Sequence, residues 1–279
     1  MIQISDLSFT YKNEKKPALQ EIRLSVPDGG FLGIIGPAGA GKTTLARAIT
    51  GMIPHHYTGD YYGSVKVNGM DTVDTSINEL SRQVGMVFQD VESQIISSVV
   101  EDELLYGLEN FGVPREEIEE RLAFALEEVG IAPLRHRSIA SLSGGQRQKV
   151  AIASLVALRP RILVLDEPTG ELDPSSSRQI FSLLCRLNRE YGMTVVVVEQ
   201  KIMLLCEFAE RLLVLSEGRV ARDGSVREVL GDIGGLEAIG VNCPRSACFS
   251  ATLGEKTGRE FPVCVNAEEA VEAARRVIG

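Results

Sequence analysis

The sequence predicts an α/β fold built on a parallel sheet, and three observations support this prediction. Short apolar runs recur along the chain: FLGII at 31–35, ILVL at 162–165, VVVV at 195–198 and LLVL at 212–215. Helical patterns separate successive runs, and strands that alternate with helices form a parallel sheet with helices on both faces. A glycine-rich loop and then a helical pattern follow the first run, and such a loop lies where ligands gather in open α/β sheets.

The N-terminal region predicts antiparallel strands at a sheet edge. Residues 1–30 alternate apolar and polar side chains, as half-buried strands do. Residues 43–50 show a helical pattern, with apolar side chains on one face. Residues 54–63 are rich in Pro, Gly and Tyr and predict a loop, whereas SVKVNG at 64–69 predicts a strand and a turn.

The middle of the chain changes character. A further strand is predicted at 84–88, and residues 90–160 are predicted to be mostly helical. Within that stretch Ile118, Leu122 and Val129 recur at helical spacing with glutamates opposite. This spacing indicates a helix with one buried face.

These patterns predict a main domain and a short extension. The main domain is expected to span residues 1–235, with a helical subdomain at about 90–160. The Gly- and Pro-containing stretch 231–245 predicts a linker. Residues 236–279 form the C-terminal extension, which ends in a helical pattern.

Composition limits the classes of function. The chain has 279 residues, a formal net charge of -9 and 44% hydrophobic residues, the balance of a soluble globular protein. Such an acidic protein is not expected to carry a general nucleic-acid surface, so no nucleic-acid partner is predicted. The sequence has no apolar run of the roughly 18 residues that cross a bilayer and no signal-peptide pattern. We therefore expect a cytoplasmic chain that reaches a membrane only through a partner.

Cysteine usage leaves two alternatives. Five cysteines without a CxxC pair predict free thiols in a reducing compartment. Cys243, Cys248 and Cys264 cluster near the C-terminus, which leaves a metal or redox site open.

The stretch GPAGAGKTT at 36–44 matches the pattern G-x-x-x-x-G-K-[ST] through Gly36, Gly41, Lys42 and Thr43. Glycines let backbone N–H groups converge on phosphate oxygens, and the following helix directs its positive end at them. The lysine would reach the terminal phosphates of ATP, and the Thr43 hydroxyl would ligate Mg²⁺. The predicted ATP-binding residues of this loop are Gly36, Pro37, Ala38, Gly39, Ala40, Gly41, Lys42, Thr43 and Thr44.

A second motif supplies the carboxylates that a phosphate loop needs. The run ILVL ends in Asp166 and Glu167, at the carboxyl end of a predicted strand. We expect Asp166 to hold Mg²⁺, and Glu167 to polarise the attacking water.

A third motif has a recognisable family likeness. LSGGQRQK at 142–149 resembles the signature of ATP-binding-cassette (ABC) ATPases, and with the two motifs above the resemblance covers about residues 1–230. It implies a P-loop ATPase cassette with an antiparallel edge subdomain and a helical subdomain. Ser143 would cap a helix whose Gly144, Gly145 and Gln146 face ATP bound by a second cassette. Two cassettes, as a homodimer or with a paralogue, would thus close over two ATP molecules.

The resemblance implies further site residues. Tyr11 would stack on adenine, although an ordinary edge-strand tyrosine stays an alternative. Gln89 would touch Mg²⁺ or the attacking water and sense a membrane partner. Asp173 would lie in the loop that crosses the dimer interface.

One position departs from the family pattern. Gln200 stands where the family usually places a histidine that contacts the γ-phosphate. An amide can still donate a hydrogen bond, but it does not change charge near neutral pH. Slower hydrolysis, or a site that is one of an unequal pair, therefore stays open.

The stretch after Gln89 is similar to energy-coupling-factor (ECF) transporter ATPases. Gln94 follows, and then Val100, Glu101, Asp102, Glu103 and Gly107 complete the pattern. This resemblance implies a groove for helices of a membrane subunit. Four apolar residues could line the groove or form a buried amphipathic segment: Ile95, Ile96, Val99 and Val100.

The resemblance implies an importer ATPase, peripheral on the cytoplasmic side of the cell membrane. Its partners would be a transmembrane subunit and a substrate-binding membrane component, and its solute a vitamin or a metal ion. Two alternatives stay open. A soluble ABC ATPase outside transport is disfavoured by the single cassette, the lack of a coiled-coil insertion and the acidic balance. A regulatory subunit with weak hydrolysis is favoured by Gln200 and disfavoured by Glu167.

Overall fold

The computed structural model describes residues 1–278, with side chains through Val277, as two sheets flanked by helices. The strands are β1 (Ile2–Tyr11), β2 (Leu19–Val26), β3 (Phe31–Ile35), β4 (Gly59–Val67), β5 (Met70–Asp71), β6 (Val84–Val87), β7 (Ile162–Asp166), β8 (Thr194–Val198), β9 (Arg211–Ser216) and β10 (Arg219–Ser225). The helices are α1 (Lys42–Ile49), α2 (Met52–His55), α3 (Ile77–Ser81), α4 (Val91–Gln94), α5 (Val100–Asn110), α6 (Arg115–Val129), α7 (Gly144–Ala157), α8 (Pro174–Tyr191), α9 (Ile202–Phe208), α10 (Val226–Leu230), α11 (Ile233–Ala238), α12 (Arg245–Thr257) and α13 (Ala267–Ile278).

The larger sheet confirms the predicted α/β class. Its six strands run in the order β10-β9-β3-β8-β7-β6, and all neighbours are parallel except β10 with β9. Successive residues of β8 enter opposite cores: Val195 and Val197 pack in one hydrophobic cluster, and Val196 and Val198 in the other. A strand that is buried on both faces has apolar residues at every position, and for this reason β8 could be predicted from the run VVVV.

The N-terminal strands form a separate antiparallel sheet in the order β2-β1-β4-β5. The predicted antiparallel pairing is confirmed, but β1 is an inner strand rather than an edge. The loop predicted at 54–63 is wrong for its second half, because β4 begins at Gly59. Two positions of β4 have no room for a side chain. A Cβ at Gly59 would lie 2.0 Å from the Thr10 carbonyl oxygen, and a Cβ at Gly63 would lie 2.4 Å from the Asp6 carbonyl oxygen.

The stretch 90–160 is mostly helical, as predicted. Helices α5 and α6 pack on α7, and buried Leu104, Leu122 and Val150 join the cluster on that face of the large sheet. The first residue of α7, Gly144, lines the same cleft as Glu167, which follows β7. Within residues 1–278 we find no helix with the length and apolar character that crossing a bilayer requires.

The C-terminal extension is helical over most of its length. The linker predicted at 231–245 is wrong in part, because α11 occupies Ile233–Ala238 and α12 begins at Arg245. Asp232 caps α11 by accepting the N–H of Gly235 at 3.0 Å. Arg227 of α10 pairs with Glu269 of α13 at 2.8 Å, which ties the last helix to the domain.

Candidate functional site

The phosphate loop joins the carboxyl end of β3 to α1. Gly36 has φ 152° and Gly41 has φ 99°, both in the region that favours glycine. A Cβ would lie 2.1 Å from the Leu215 carbonyl oxygen at Gly36, and 2.4 Å from that of Ala18 at Gly41. Close backbone contacts on both sides therefore fix the loop, and only glycine fits at its two ends.

Lys42 is the first residue of α1 and is 6% exposed. Its Nζ donates to the carbonyl oxygens of Gly36 at 2.9 Å and Pro37 at 3.0 Å. Burial lowers the pKa of Lys42, and the nearby carboxylates of Glu167 and Asp166 oppose that shift. The ammonium group is therefore held inside the loop, where a polyphosphate would meet it.

Tyr11, the last residue of β1, lies against α1. Its hydroxyl is 3.2 Å from the Thr44 Oγ1 and accepts a hydrogen bond from Arg47 at 3.2 Å. The ring meets Phe9 edge-on, with centroids 4.9 Å apart. The contact with Thr44 places the Tyr11 hydroxyl beside the last residue of the stretch 36–44.

Asp166 ends β7 and is 2% exposed. Its Oδ1 is buried and has no hydrogen-bond partner among the described residues. Burial raises the pKa of Asp166, and the neighbouring Thr43 hydroxyl opposes the shift. Mg²⁺ prefers oxygen ligands, and the unpaired carboxylate oxygen of Asp166 and the neighbouring hydroxyl of Thr43 are ligands of that kind. Asp166 and Thr43 therefore fit a Mg²⁺ ion, which would supply positive charge to the phosphates when bound.

Two amide side chains converge on Glu167. Gln200 donates from Nε2 to one carboxylate oxygen at 2.7 Å, and Gln89 donates to the other at 3.1 Å. The structure thus brings the three predicted catalytic residues together, although Gln89 contacts Glu167 rather than Asp166. Glu167 has φ 49°, an uncommon conformation for a side-chain-bearing residue and one that concentrates at functional sites.

Sequence reasoning missed two residues that connect the loops after β7 and β8. Glu199 is 1% exposed and accepts hydrogen bonds from the Thr169 backbone at 3.0 Å and its hydroxyl at 2.6 Å. Lys201 donates to the Thr169 carbonyl at 2.8 Å. These contacts fix Gln200, which lies between them, relative to the Glu167 loop. The signal in the sequence was a carboxylate placed directly after the apolar run VVVV.

The predicted cap of the signature helix is present. Ser143 accepts the N–H of Gln146 at 3.3 Å, and the Gln146 side chain accepts the N–H of Ser143 at 3.0 Å. Gly144 and Gly145 form the first turn of α7. Asp173 caps α8 with its carboxylate, accepting the N–H of Ser175 at 2.9 Å.

The signature helix and the phosphate loop lie apart within one chain. A cleft of about 850 Å³ is lined by Gly144 together with Gln89 and Glu167. Within the described residues its lining includes none of 36–44. The signature therefore does not complete the phosphate loop of its own chain in this structure.

The cysteine cluster does not form a metal site. Among residues 1–278 no group of three or more His, Cys, Asp or Glu side chains could hold a metal ion. All five thiols are free, as the first alternative predicted. Burial raises the pKa of Cys206 to about 12 and that of Cys243 to about 11, which keeps both thiols protonated near neutral pH.

Comparison with known proteins decides the family. The family model described as "ABC transporter" matches residues 19–170. An ABC transporter ATP-binding protein of Pyrococcus abyssi is 41% identical over 244 residues, covering 88% of this chain and 87% of the relative. One of Pyrococcus horikoshii is 37% identical over 275 residues, covering 99% and 96%. The chain belongs to the ABC transporter ATP-binding protein family.

Solved structures agree with this assignment. The structure of cbiO1 from Clostridium perfringens, part of the ABC transporter complex cbiONQ, aligns with TM-score 0.76 and 28% identity, covering 92% of this chain and 98% of that one. The dimeric cassette MJ0796, bound to ADP and Pi after hydrolysis, aligns with TM-score 0.70 and 31% identity, covering 81% and 99%. The cassette fold and ATP hydrolysis predicted from the sequence are thus confirmed for this ABC ATPase.

Proposed function

We propose that this ABC ATPase powers an importer of the ECF type, coupling ATP hydrolysis to uptake of a vitamin or a metal ion through membrane subunits. The phosphate loop would bind ATP, and Asp166 with Thr43 would hold Mg²⁺. Glu167 would take a proton from the attacking water, oriented by Gln89 and Gln200. The likeness to cbiO1, a part of the cbiONQ complex, supports the ECF type.

One observation carries the transport proposal: the segment that begins at Gln89 ends in an exposed apolar residue whose backbone N–H is bound by a buried carboxylate. Ile96 is 67% exposed. Its backbone N–H donates to the Glu103 carboxylate at 3.0 Å, and that of Ser97 donates at 2.8 Å. Glu103 is itself only 7% exposed. The backbone at Ile96 is thus fixed, and in this proposal its exposed side chain would contact the membrane subunit.

The groove beside Ile96 has room for a partner side chain. A cavity of about 400 Å³ is lined by Ile95, Ile139 and Arg147, among others. Of the four apolar residues that could line a groove or form a buried segment, Ile95 lines this cavity within the described residues. Val100 is fully buried as the first residue of α5, as the second alternative predicted. Ile95 and Val99 are half-buried and Ile96 is exposed.

The segment also connects this groove to the catalytic carboxylate. Gln94 accepts the N–H of Phe88 at 3.0 Å and donates to the Met86 carbonyl at 3.0 Å, which fixes the segment to the end of β6. Gln89 then contacts Glu167. A partner that moves the groove would therefore move Gln89, which is hydrogen-bonded to the proposed general base Glu167, and this is the coupling that a transporter requires.

A purification of the tagged full chain from membranes tests the proposal. We expect it to recover a transmembrane subunit and a small substrate-binding membrane protein, whose identity gives the solute class. Ile96→Glu should abolish that recovery, whereas Tyr62→Glu, at another side chain that is 67% exposed, should not. Equal recovery by the two variants would remove the groove from the proposal, and recovery of soluble partners alone would replace transport by a soluble ABC ATPase.

A further inference from the structure

A buried carboxylate connects the loop that carries Glu167 to the loop that carries Gln200. One oxygen of Glu199 accepts the backbone N–H of Thr169 at 3.0 Å and the hydroxyl of the same residue at 2.6 Å. The other oxygen accepts the backbone N–H of Gln200 at 3.2 Å and that of Lys201 at 3.4 Å. The two oxygens of one side chain therefore hold both loops.

The backbone on both sides of this carboxylate is fixed by the large sheet. The Glu199 N–H donates to the Ile34 carbonyl of β3 at 3.1 Å. The Glu167 N–H donates to the Val198 carbonyl, at the end of β8, at 2.9 Å. The Glu199 side chain thus starts from a position set by the strands, and its hydrogen bonds transfer that position to the residues that follow it.

Lys201 makes a second connection between the same two loops. Its ammonium group donates to the Thr169 carbonyl at 2.8 Å and to the Leu172 carbonyl at 3.3 Å. Gln200 therefore lies between two residues that are hydrogen-bonded to the loop after β7. Its own side chain donates to the Glu167 carboxylate at 2.7 Å.

A carboxylate at position 199 is costly for the fold. Glu199 is 1% exposed, and burial raises its pKa, although hydrogen bonds from Thr169, Lys201 and Gln200 oppose that shift. Burial of a charged group costs free energy unless hydrogen bonds offset it. A glutamine of the same shape would avoid the charge, but its amide has only one oxygen and would direct N–H groups at the other pair of donors.

We propose that Glu199 and Lys201 are positioning residues for ATP hydrolysis. They hold the Gln200 amide in contact with the Glu167 carboxylate. If the loop after β8 shifted, that carboxylate would lose one of its two amide contacts, and a misplacement of about 1 Å can cost about 10²-fold in rate. This inference rests on the proposed roles of Glu167 and Gln200 in hydrolysis. Neither positioning residue belongs to the phosphate loop 36–44, so the effect is expected on kcat rather than on ATP binding.

Steady-state kinetics of the full chain test the role of the Glu199 carboxylate. Glu199→Gln keeps the shape of the side chain but replaces one acceptor oxygen by an NH₂ group. We expect kcat to fall by about tenfold, whereas KM for ATP should change by less than about twofold. A kcat equal to that of wild type, or a rise in KM alone, would overturn the positioning role.

Lys201 provides an independent test, because its side chain is exposed and its replacement leaves the core intact. Lys201→Met removes the ammonium group and should lower kcat by about threefold to tenfold. Lys201→Arg should restore most of this loss, since a guanidinium can donate to two carbonyls. Lys66→Met is the matched control, at an exposed lysine of β4, and should leave kcat unchanged. Equal kcat values for Lys201→Met and Lys66→Met would exclude Lys201 as a positioning residue.

A double-mutant cycle separates positioning from a general loss of stability. Gln200→Ala removes the amide that is held, so Glu199→Gln should have little further effect on kcat in that background. Additive effects would mean that Glu199 acts by another route and would overturn the inference. If Gln200→Ala left kcat unchanged, the proposed role of Gln200 would be wrong as well. If Gln200→Ala alone lowered kcat, that role would stand, and positioning by Glu199 and Lys201 would be wrong.

Discussion

Glu167 is the residue on which the proposed chemistry depends. Its two carboxylate oxygens each accept one amide hydrogen bond, from Gln200 and from Gln89, so the group is held in one orientation. Gln200 thereby has a function in this structure that needs no change of charge. The glutamine in place of the family's histidine is compatible with an active site, because its amide orients the carboxylate.

Glu167→Gln should abolish turnover while ATP binding is retained. The amide cannot accept the proton of the attacking water, and loss of a general base costs about 10²-fold or more in kcat. Phosphate release and ATP affinity of the purified variant measure the two effects. Glu171→Gln is the control, an exposed acid in the same loop. Equal kcat for wild type and Glu167→Gln would exclude Glu167 as the base.

Glu199 predicts a pH dependence of stability. Burial raises its pKa above the ordinary value of 4.5, so the folded protein binds this proton more tightly than the unfolded chain. The contribution of Glu199 to folding is therefore present below pH 4.5 and is lost as the pH rises through the folded pKa. Glu199→Gln should show a smaller fall in the free energy of unfolding between about pH 4.5 and about pH 7.5.

Urea denaturation of wild type and Glu199→Gln at both pH values measures this difference. Glu210→Gln removes an exposed carboxylate and should leave the pH dependence as in wild type. If Glu199→Gln and wild type lost equal stability over this range, the buried carboxylate would not be the group that titrates.

The site residues that belong to contiguous sequence motifs were predicted from the sequence. Gly36, Lys42 and Asp166 follow from local patterns, because loop and helix geometry fixes where they lie. Glu199 and Lys201 could not be predicted in the same way. Their partner is Thr169, on a different loop, and that contact exists only once β7 and β8 pair.

At the scale of the element, the signature helix α7 depends on its capping box. Ser143→Ala removes the acceptor of the Gln146 N–H and should lower the free energy of unfolding by about 1 kcal/mol. It should also lower ATPase activity, because the first turn of α7 would no longer hold its N–H groups in place. Chemical denaturation and phosphate release measure the two effects.

Ser76→Ala is the matched control for this prediction. Ser76 forms the same capping box with Glu79 at the start of α3. Its loss should cost comparable stability and leave ATPase activity unchanged. Equal activity losses for the two variants would mean that Ser143 acts through stability alone.

Two elements were mispredicted because tertiary contacts overrode local composition. Gly59 and Gly63 predicted a loop, yet β4 needs them, since the backbone of β1 leaves no room for side chains there. Gly234 and Gly235 likewise favoured a linker, yet both lie in α11. Burial of Leu236 in the main core stabilises that helix against the low helix propensity of glycine.

At the scale of the whole molecule, one chain carries both a phosphate loop and a signature helix, but the two do not line the same cleft within the described residues. The cleft that contains Gly144 is lined by Gln89 and Glu167 but, within the described residues, by none of 36–44. Members of this family act as dimers, and the related cassette MJ0796 was solved as a dimer. We therefore expect each phosphate loop to be completed by the signature of a second cassette.

Mixing two inactive variants tests whether that second cassette is another copy of this chain. Lys42→Ala disables the phosphate loop, and Gly144→Asp places a like charge where the phosphates would meet α7. Each variant alone should be inactive. In a mixture, about half of the dimers would be hybrids with one intact loop facing one intact signature, so up to about a quarter of wild-type turnover should return. Since a site within one chain cannot be restored by mixing, continued inactivity would mean that two copies of this chain do not share the site.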